Sequence, residues 1–137
     1  MLLFYHPHQV ILVNIFIIED NEQNIYLMNY LLSNAGHTLI EVKGGREAIE
    51  KIKHISVDLI LLDIQLPDMS GYEVAQEFRK ISGLDNVPIV AVTSYAMNGD
   101  KERALLSGCD YYLKKPIDPD TFVKKIEKYH LNAINKS

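Results

Sequence analysis

The apolar residues of this chain fall into two alternating rhythms. Ile15-Phe16-Ile17-Ile18, Thr38 to Val42, Leu59-Ile60-Leu61-Leu62, Pro88 to Val92 and Tyr111-Tyr112-Leu113 are short runs rich in aliphatic and aromatic residues. Runs of this kind without polar alternation, Leu59 to Leu62 above all, predict strands buried on both faces. Between them the apolar positions recur at helical spacing. Ile25, Met28, Leu32 and Ala35 predict a helix over about 23–35, stopped by Gly36. Ala48, Ile49 and Ile52 mark a short helix after Gly44-Gly45, and Val74, Phe78 and Ile81 a third beyond Pro67 and Gly71. A weaker pattern from about Asn98 to Ser107 ends at Gly108. Phe122, Ile126 and Tyr129 stripe the last helix, with Asp118 as its N-cap and Pro119 at its first position.

Strict β-α alternation with short helices implies a parallel sheet covered on both faces. Right-handed crossovers make it an α/β, doubly wound five-stranded sandwich of flavodoxin-like strand order. The expected domain spans 14–131. Residues 1 to about 13 read as an extension, either poorly ordered or the product of a start codon assigned too far upstream, and 132–137 as a tail.

Composition narrows the function classes. At 137 residues the chain has room for one domain with a real core. Its net charge of −4 argues against nucleic acid as a direct partner, and no block of like charge reads as an interaction tail. A lone cysteine, Cys109, excludes an internal disulfide and a multi-cysteine metal site. Met1-Leu2-Leu3-Phe4 looks briefly like a secretory segment but lacks a basic start and a small-residue cleavage site. His6-Pro7-His8-Gln9 then breaks the run well short of the ~20 residues that span a bilayer. The expectation is a cytoplasmic protein without membrane insertion, monomeric or weakly dimeric.

The chemistry collects at the carboxyl ends of the predicted strands, where open α/β sheets bind ligands. The first delivers Glu19 and Asp20, the third Asp63, the fourth Thr93 and Ser94, and the fifth Lys115. Three carboxylates in one crevice repel each other, and one lysine is too little to balance them, so a divalent cation is implied. All-oxygen ligands select Mg²⁺ over zinc. Carboxylates, Mg²⁺, a lysine and a threonine hydroxyl make a site for a phosphoryl group, whose transfer is mainly positioning and charge neutralisation. A carboxylate can itself be the nucleophile. Asp63, ending the most buried strand, is the candidate.

Together, Glu19-Asp20-Asn21, Asp63-Ile64-Gln65-Leu66-Pro67-Asp68-Met69-Ser70-Gly71, Thr93-Ser94 and Lys115-Pro116 resemble the response-regulator receiver (CheY-like) family from about Asn14 to His130. Among single-domain members the chain is similar to DivK-like cell-cycle regulators and to chemotaxis-type ones. The resemblance implies that Asp63 accepts a phosphoryl group from a histidine kinase or histidine phosphotransfer protein. It implies that Asp20, Asp63 and the main-chain carbonyl of Gln65 bind Mg²⁺ directly, with Glu19 acting through water. It gives Lys115 and Thr93 phosphoryl oxygens to hold. Tyr112 becomes an aromatic switch that moves inward with Thr93 and alters the face of the fourth helix, fifth strand and last helix. By the same resemblance the Lys115-Pro116 bond is expected to be cis, and the turn at Asn21 with the first helix to meet the phosphoryl donor. No output domain is evident, so the signal is expected to leave by contact with a downstream protein that the sequence does not name.

Two positions depart from the family's commonest pattern. The acidic pair is Glu-Asp, leaving Asp20 as the direct ligand, and Tyr95, two after Thr93, is bulky enough to limit water's access to a phosphoryl group. Gln65 and Tyr95 are expected to slow hydrolysis. Three other readings stand beside this one. An aspartate-nucleophile phosphohydrolase usually has a second Asp two residues after the first, where Gln65 stands. A flavin module needs a phosphate-cradling loop after the first strand, where Glu19-Asp20-Asn21-Glu22 repels phosphate. A receiver-shaped module that has lost phosphorylation would not need Asp63, Thr93 and Lys115 intact.

Overall fold

The computed structural model describes residues 11–94 and 98–136. Five strands, β1 (Asn14–Ile18), β2 (Thr38–Val42), β3 (Leu59–Asp63), β4 (Ile89–Thr93) and β5 (Tyr111–Lys114), alternate with five helices. The helices are α1 (Glu22–Asn34), α2 (Gly45–Ile52), α3 (Gly71–Arg79), α4 (Asp100–Leu106) and α5 (Phe122–Lys136). The strands form one sheet of order β2-β1-β3-β4-β5. Every pairing is parallel. This is the expected doubly wound, flavodoxin-like sandwich. β3 and β4 are buried at all five positions, as their unbroken apolar runs require when both faces are covered.

Alternate strand residues feed two cores. Phe16, Ile18, Ile60, Leu62, Ile89 and Ala91 pack with residues of α2, α3 and α4 on one face. Ile15, Ile17, Leu59, Leu61, Val90 and Val92 pack with residues of α1 and α5 on the other. Cys109 belongs to the first core, and burial pushes its thiol up to about 12, which makes it an inert packing group.

Three boundaries differ from the sequence reading. Val13, placed there in an extension, is fully buried, and its N–H donates to Nδ1 of His37 at 3.1 Å. With Nδ1 accepting, Nε2 carries the ring proton and meets Glu127 Oε2 at 2.8 Å, tying the start of β1 to α5. Residues 1–10 lie outside the described residues. Regular α5 begins at Phe122, not Pro119: Asp118 Oδ1 accepts the N–H of Asp120 at 3.0 Å and closes a separate turn first. At the other end α5 continues through residues 132–136, which the sequence reading set apart as a tail.

Arg79 fastens the edge of the sheet. Its guanidinium donates to the carbonyls of Gly108 (2.9 Å) and Leu84 (2.6 Å) and to Asp110 Oδ2 (2.7 Å), which also accepts the N–H of Ile89. Gly108, at φ +110°, lies against the Arg79 stem, where an added Cβ would come within 2.7 Å of Cγ. Arg79→Ala strips three acceptors of their donor and is expected to cost about 2 kcal/mol in urea unfolding, with Arg79→Lys restoring only part of it.

Candidate functional site

Because all five strands run the same way, their carboxyl ends share one rim, and β1 and β3 are neighbours. Ile18 lies opposite Leu62 in register. Glu19 and Asp20, just past Ile18, are thereby set beside Asp63. One carboxylate oxygen from each of Glu19, Asp20 and Asp63 lies within 4.8 Å of the others. Glu19 and Asp63 are buried, at 1% and 3% exposure, and Asp20 is exposed.

The cation of the site comes from beyond β5. Lys115 Nζ lies 2.6 Å from Glu19 Oε1 and 3.3 Å from Asp63 Oδ2, so the lysine leans toward Glu19. Its backbone N–H donates to the Thr93 carbonyl at 2.8 Å, which carries it across from β5 to the end of β4. The Lys115–Pro116 bond is cis. Thr93 is buried one residue past Val92, the register partner of Asp63. Tyr112, opposite Ala91, is half-buried against the core shared with α2, α3 and α4. Tyr95 lies outside the described residues.

Charge does not balance here. Desolvation, first, and the neighbouring Glu19 raise the Asp63 carboxyl from its ordinary value of 3.8 to about 7, against the lowering pull of the Gln65 N–H and Lys115. Glu19 Oε1 is buried and touches Lys115 without the alignment of a hydrogen bond. Three carboxylates, one ammonium and a buried oxygen short of a hydrogen bond fit a divalent cation with hard oxygen ligands. Glu19, Asp20 and Asp63 are the side chains that could hold it.

The loop behind Asp63 is tied down by contacts that do not show in sequence order. The Gln65 N–H donates to Asp63 Oδ1 at 2.9 Å, the Gly71 N–H to the Ile64 carbonyl at 2.9 Å, and Gln65 bridges to Ser70. Ser70 caps α3 through the N–H of Tyr72. Asp68 reaches across to α2, its two oxygens accepting the N–H groups of Gly45 and Arg46 at 2.8 and 2.9 Å. Those N–H groups, Arg46 first, hold its carboxyl below the usual carboxylate range.

Asp68 is the site-shaping residue that sequence reasoning missed. The signal was an absence: α2 starts at Gly44-Gly45-Arg46 with no side chain of its own to cap it, and orphan N–H groups at a helix start need an acceptor from somewhere. Asp68→Ala is expected to cost about 1–2 kcal/mol at neutral pH by urea unfolding. Because the folded carboxyl titrates below its unfolded value, that contribution is present above the unfolded pKa. It is lost as pH falls through the folded one, so wild type and variant converge in acid.

A family model described as the response regulator receiver domain matches residues 15–127. The polar-differentiation response regulator DivK of Brucella abortus is 40% identical over 116 residues, 85% of this chain and 94% of its own length. Among solved structures, a Saccharomyces cerevisiae response-regulator receiver domain was crystallised with a histidine phosphotransfer signalling protein. It is 33% identical with a TM-score of 0.81, and the match covers 90% of this chain and 92% of that one. The receiver domain of a Pseudomonas aeruginosa sensor histidine kinase, solved with a magnesium ion coordinated in its active-site cleft, is 29% identical with a TM-score of 0.79. That match covers 88% and 98% of the two chains.

Proposed function

The chain belongs to the response regulator receiver domain family, phospho-accepting signalling switches of two-component systems, and from that premise we propose that Asp63 is its phosphoryl acceptor. The donor is the phosphohistidine of a histidine kinase or histidine phosphotransfer protein, the class of partner crystallised with the yeast receiver domain. One observation carries the reading: a buried carboxylate flanked by two others and by a lysine at 3.3 Å. That arrangement is costly for a structural aspartate and apt for one that receives phosphate.

An oxygen of Asp63 attacks phosphorus, the P–N bond of the donor breaks, and the imidazole leaves as the neutral base after taking up a proton. Asp20, Asp63 and the Gln65 carbonyl, with Glu19 through water, would hold Mg²⁺, which would supply positive charge against the phosphoryl oxygens. Lys115 is drawn from Glu19 to a phosphoryl oxygen. The Thr93 hydroxyl donates to another, and Tyr112 follows it inward, changing the face formed by α4, β5 and α5. The signal leaves by protein contact at that face. Catalysis is confined to the chain's own phosphorylation and dephosphorylation. Among the described residues no helix is long and apolar enough to cross a membrane, and the reading places the protein in the cytoplasm with its kinase.

The test is intact mass after incubation with acetyl phosphate, with and without Mg²⁺. One phosphoryl mass, gained only with Mg²⁺ and absent in Asp63→Asn, is the expected result. An adduct that persists in the variant would move the acceptor elsewhere. Rapid consumption of acetyl phosphate with no adduct would make the protein a phosphohydrolase instead.

A further inference from the structure

The strand ends remote from Asp63 carry a groove of their own. About 260 Å³ of open volume lies at the starts of β3 and β4 and against the end of α5, walled by Val57, Val87, Pro88 and Ile134. Asp58 and His130 line it as well. His130 is 9% exposed, and its buried Nδ1 has no hydrogen-bond partner. A second hollow, of about 100 Å³, shares Pro88 and Ala133 with the first and adds Asp85 and Asp110. No lysine or arginine lines either one. An imidazole nitrogen buried without a partner is costly unless something placed in the groove completes it.

The chain enters the fold beside this groove. The Asn14 N–H donates to Asp58 Oδ2 at 2.8 Å, and the Asn14 carbonyl accepts the Asp58 N–H at 2.7 Å. One residue earlier, the Val13 N–H donates to His37, whose other ring nitrogen meets Glu127 of α5. Glu127, Leu131 and Ile134 follow one another at i, i+4 and i+7, which puts them on one stripe of α5. Eight large apolar side chains are exposed among the described residues. Four of them belong here: Ile11 and Leu12 at the entry, and Leu131 and Ile134 on that stripe. Half of the exposed set therefore flanks the point where residues 1–10 join the fold. Those residues include Leu2, Leu3, Phe4, Tyr5 and Val10, with His6 and His8 and no Asp or Glu. Asp58 and Asp85 thus have no carboxylate to repel in them. From Ile11 back to Leu3 an extended chain reaches about 27 Å, ample for a groove whose Asp58 already bonds Asn14.

We propose that Leu2 to Tyr5 of this chain occupy the groove, with Leu3 or Phe4 against Val87 and Ile134 and a main-chain group on His130 Nδ1. A peptide backbone offers both an N–H and a carbonyl, so it can complete that nitrogen in either tautomer. The segment then acts as a strap across the base of the sheet, tying the entry of β1 to the end of α5. A second copy or a separate protein competes poorly for the same place, because a tethered segment has an effective concentration of about a millimolar.

The experiment is NMR on the full chain, as wild type and with Leu3→Ser combined with Phe4→Ser, at two protein concentrations about tenfold apart. In wild type, nuclear Overhauser contacts should join Leu3 or Phe4 to Val87 or Ile134 and persist on dilution. In the double variant those contacts should vanish and the amide resonances of residues 130–134 should shift. Hydrogen exchange of the same amides should quicken about tenfold. Contacts from Leu3 and Phe4 to another face, no contacts at all in wild type, or groove amides indifferent to the double variant overturn the proposal. Contacts that fade on dilution overturn it too, since they would give the groove to a second copy of the chain.

Discussion

In metal-free buffer at about pH 8, Asp63→Asn is expected to raise the unfolding free energy by about 2–4 kcal/mol. The carboxyl of Asp63 rises from 3.8 when free to about 7 in the fold, chiefly by desolvation and then by Glu19. A folded pKa above the unfolded one means that the native state holds the proton more tightly. The cost of the ionised carboxylate is therefore absent below about pH 4, grows between about 4 and 7, and is constant above. The gap of about three pH units corresponds to a ceiling of about 4 kcal/mol. An asparagine at 63 keeps an oxygen for the Gln65 N–H, now at 2.9 Å, and can turn its NH₂ toward Glu19. Urea unfolding at about pH 5 and about pH 8 should show the variant's advantage widening with pH. Adding Mg²⁺ should stabilise wild type more than the variant, since the ion supplies the charge that the mutation made unnecessary. A variant less stable than wild type at about pH 8 without metal would mean that Asp63 carries no such strain.

That strain was legible in the sequence, because it follows from topology. Glu19, Asp20 and Asp63 each end or follow an apolar run, and parallel strands bring such ends to one rim. The same logic places Thr93 and Lys115 there. What stayed hidden depends on contacts between elements with no periodic signature. Nothing around Arg79 announces that it will serve Gly108, Leu84 and Asp110 together. Asp68 looks like an ordinary turn residue until α2 arrives beside it. The start of α5 was misplaced because Asp118 and Pro119 have the chemistry of a helix start, and they use it on a preceding turn. The preference of Lys115 for Glu19 over Asp63 is a matter of tenths of an ångström that residue spacing does not encode.

Gly71→Ala should produce the largest loss of stability of any single methyl added at this site, about 3 kcal/mol or more. The obstacle is space rather than backbone conformation, since Gly71 does not need a positive φ. A Cβ there would lie 2.4 Å from the Asp63 carbonyl oxygen and 2.7 Å from the Ile64 Cα. Both are backbone atoms, so no side chain can swing aside. Relief requires α3 to move off the end of β3, which stretches the Gly71 N–H to Ile64 carbonyl bond and drags the loop of residues 64–70 with it. That loop carries the Gln65 N–H bonded to the Asp63 carboxylate. The fold and the carboxylate of Asp63, the proposed acceptor, therefore suffer together: urea unfolding should show the loss, and Mg²⁺ affinity should fall about tenfold in the molecules that remain folded. Glu73→Ala, an exposed change in the same first turn of α3, should stay within about 0.5 kcal/mol with metal affinity intact. If Gly71→Ala proves as mild as Glu73→Ala, α3 is free to slide, and the loop does not hold Asp63 in the way its contacts imply.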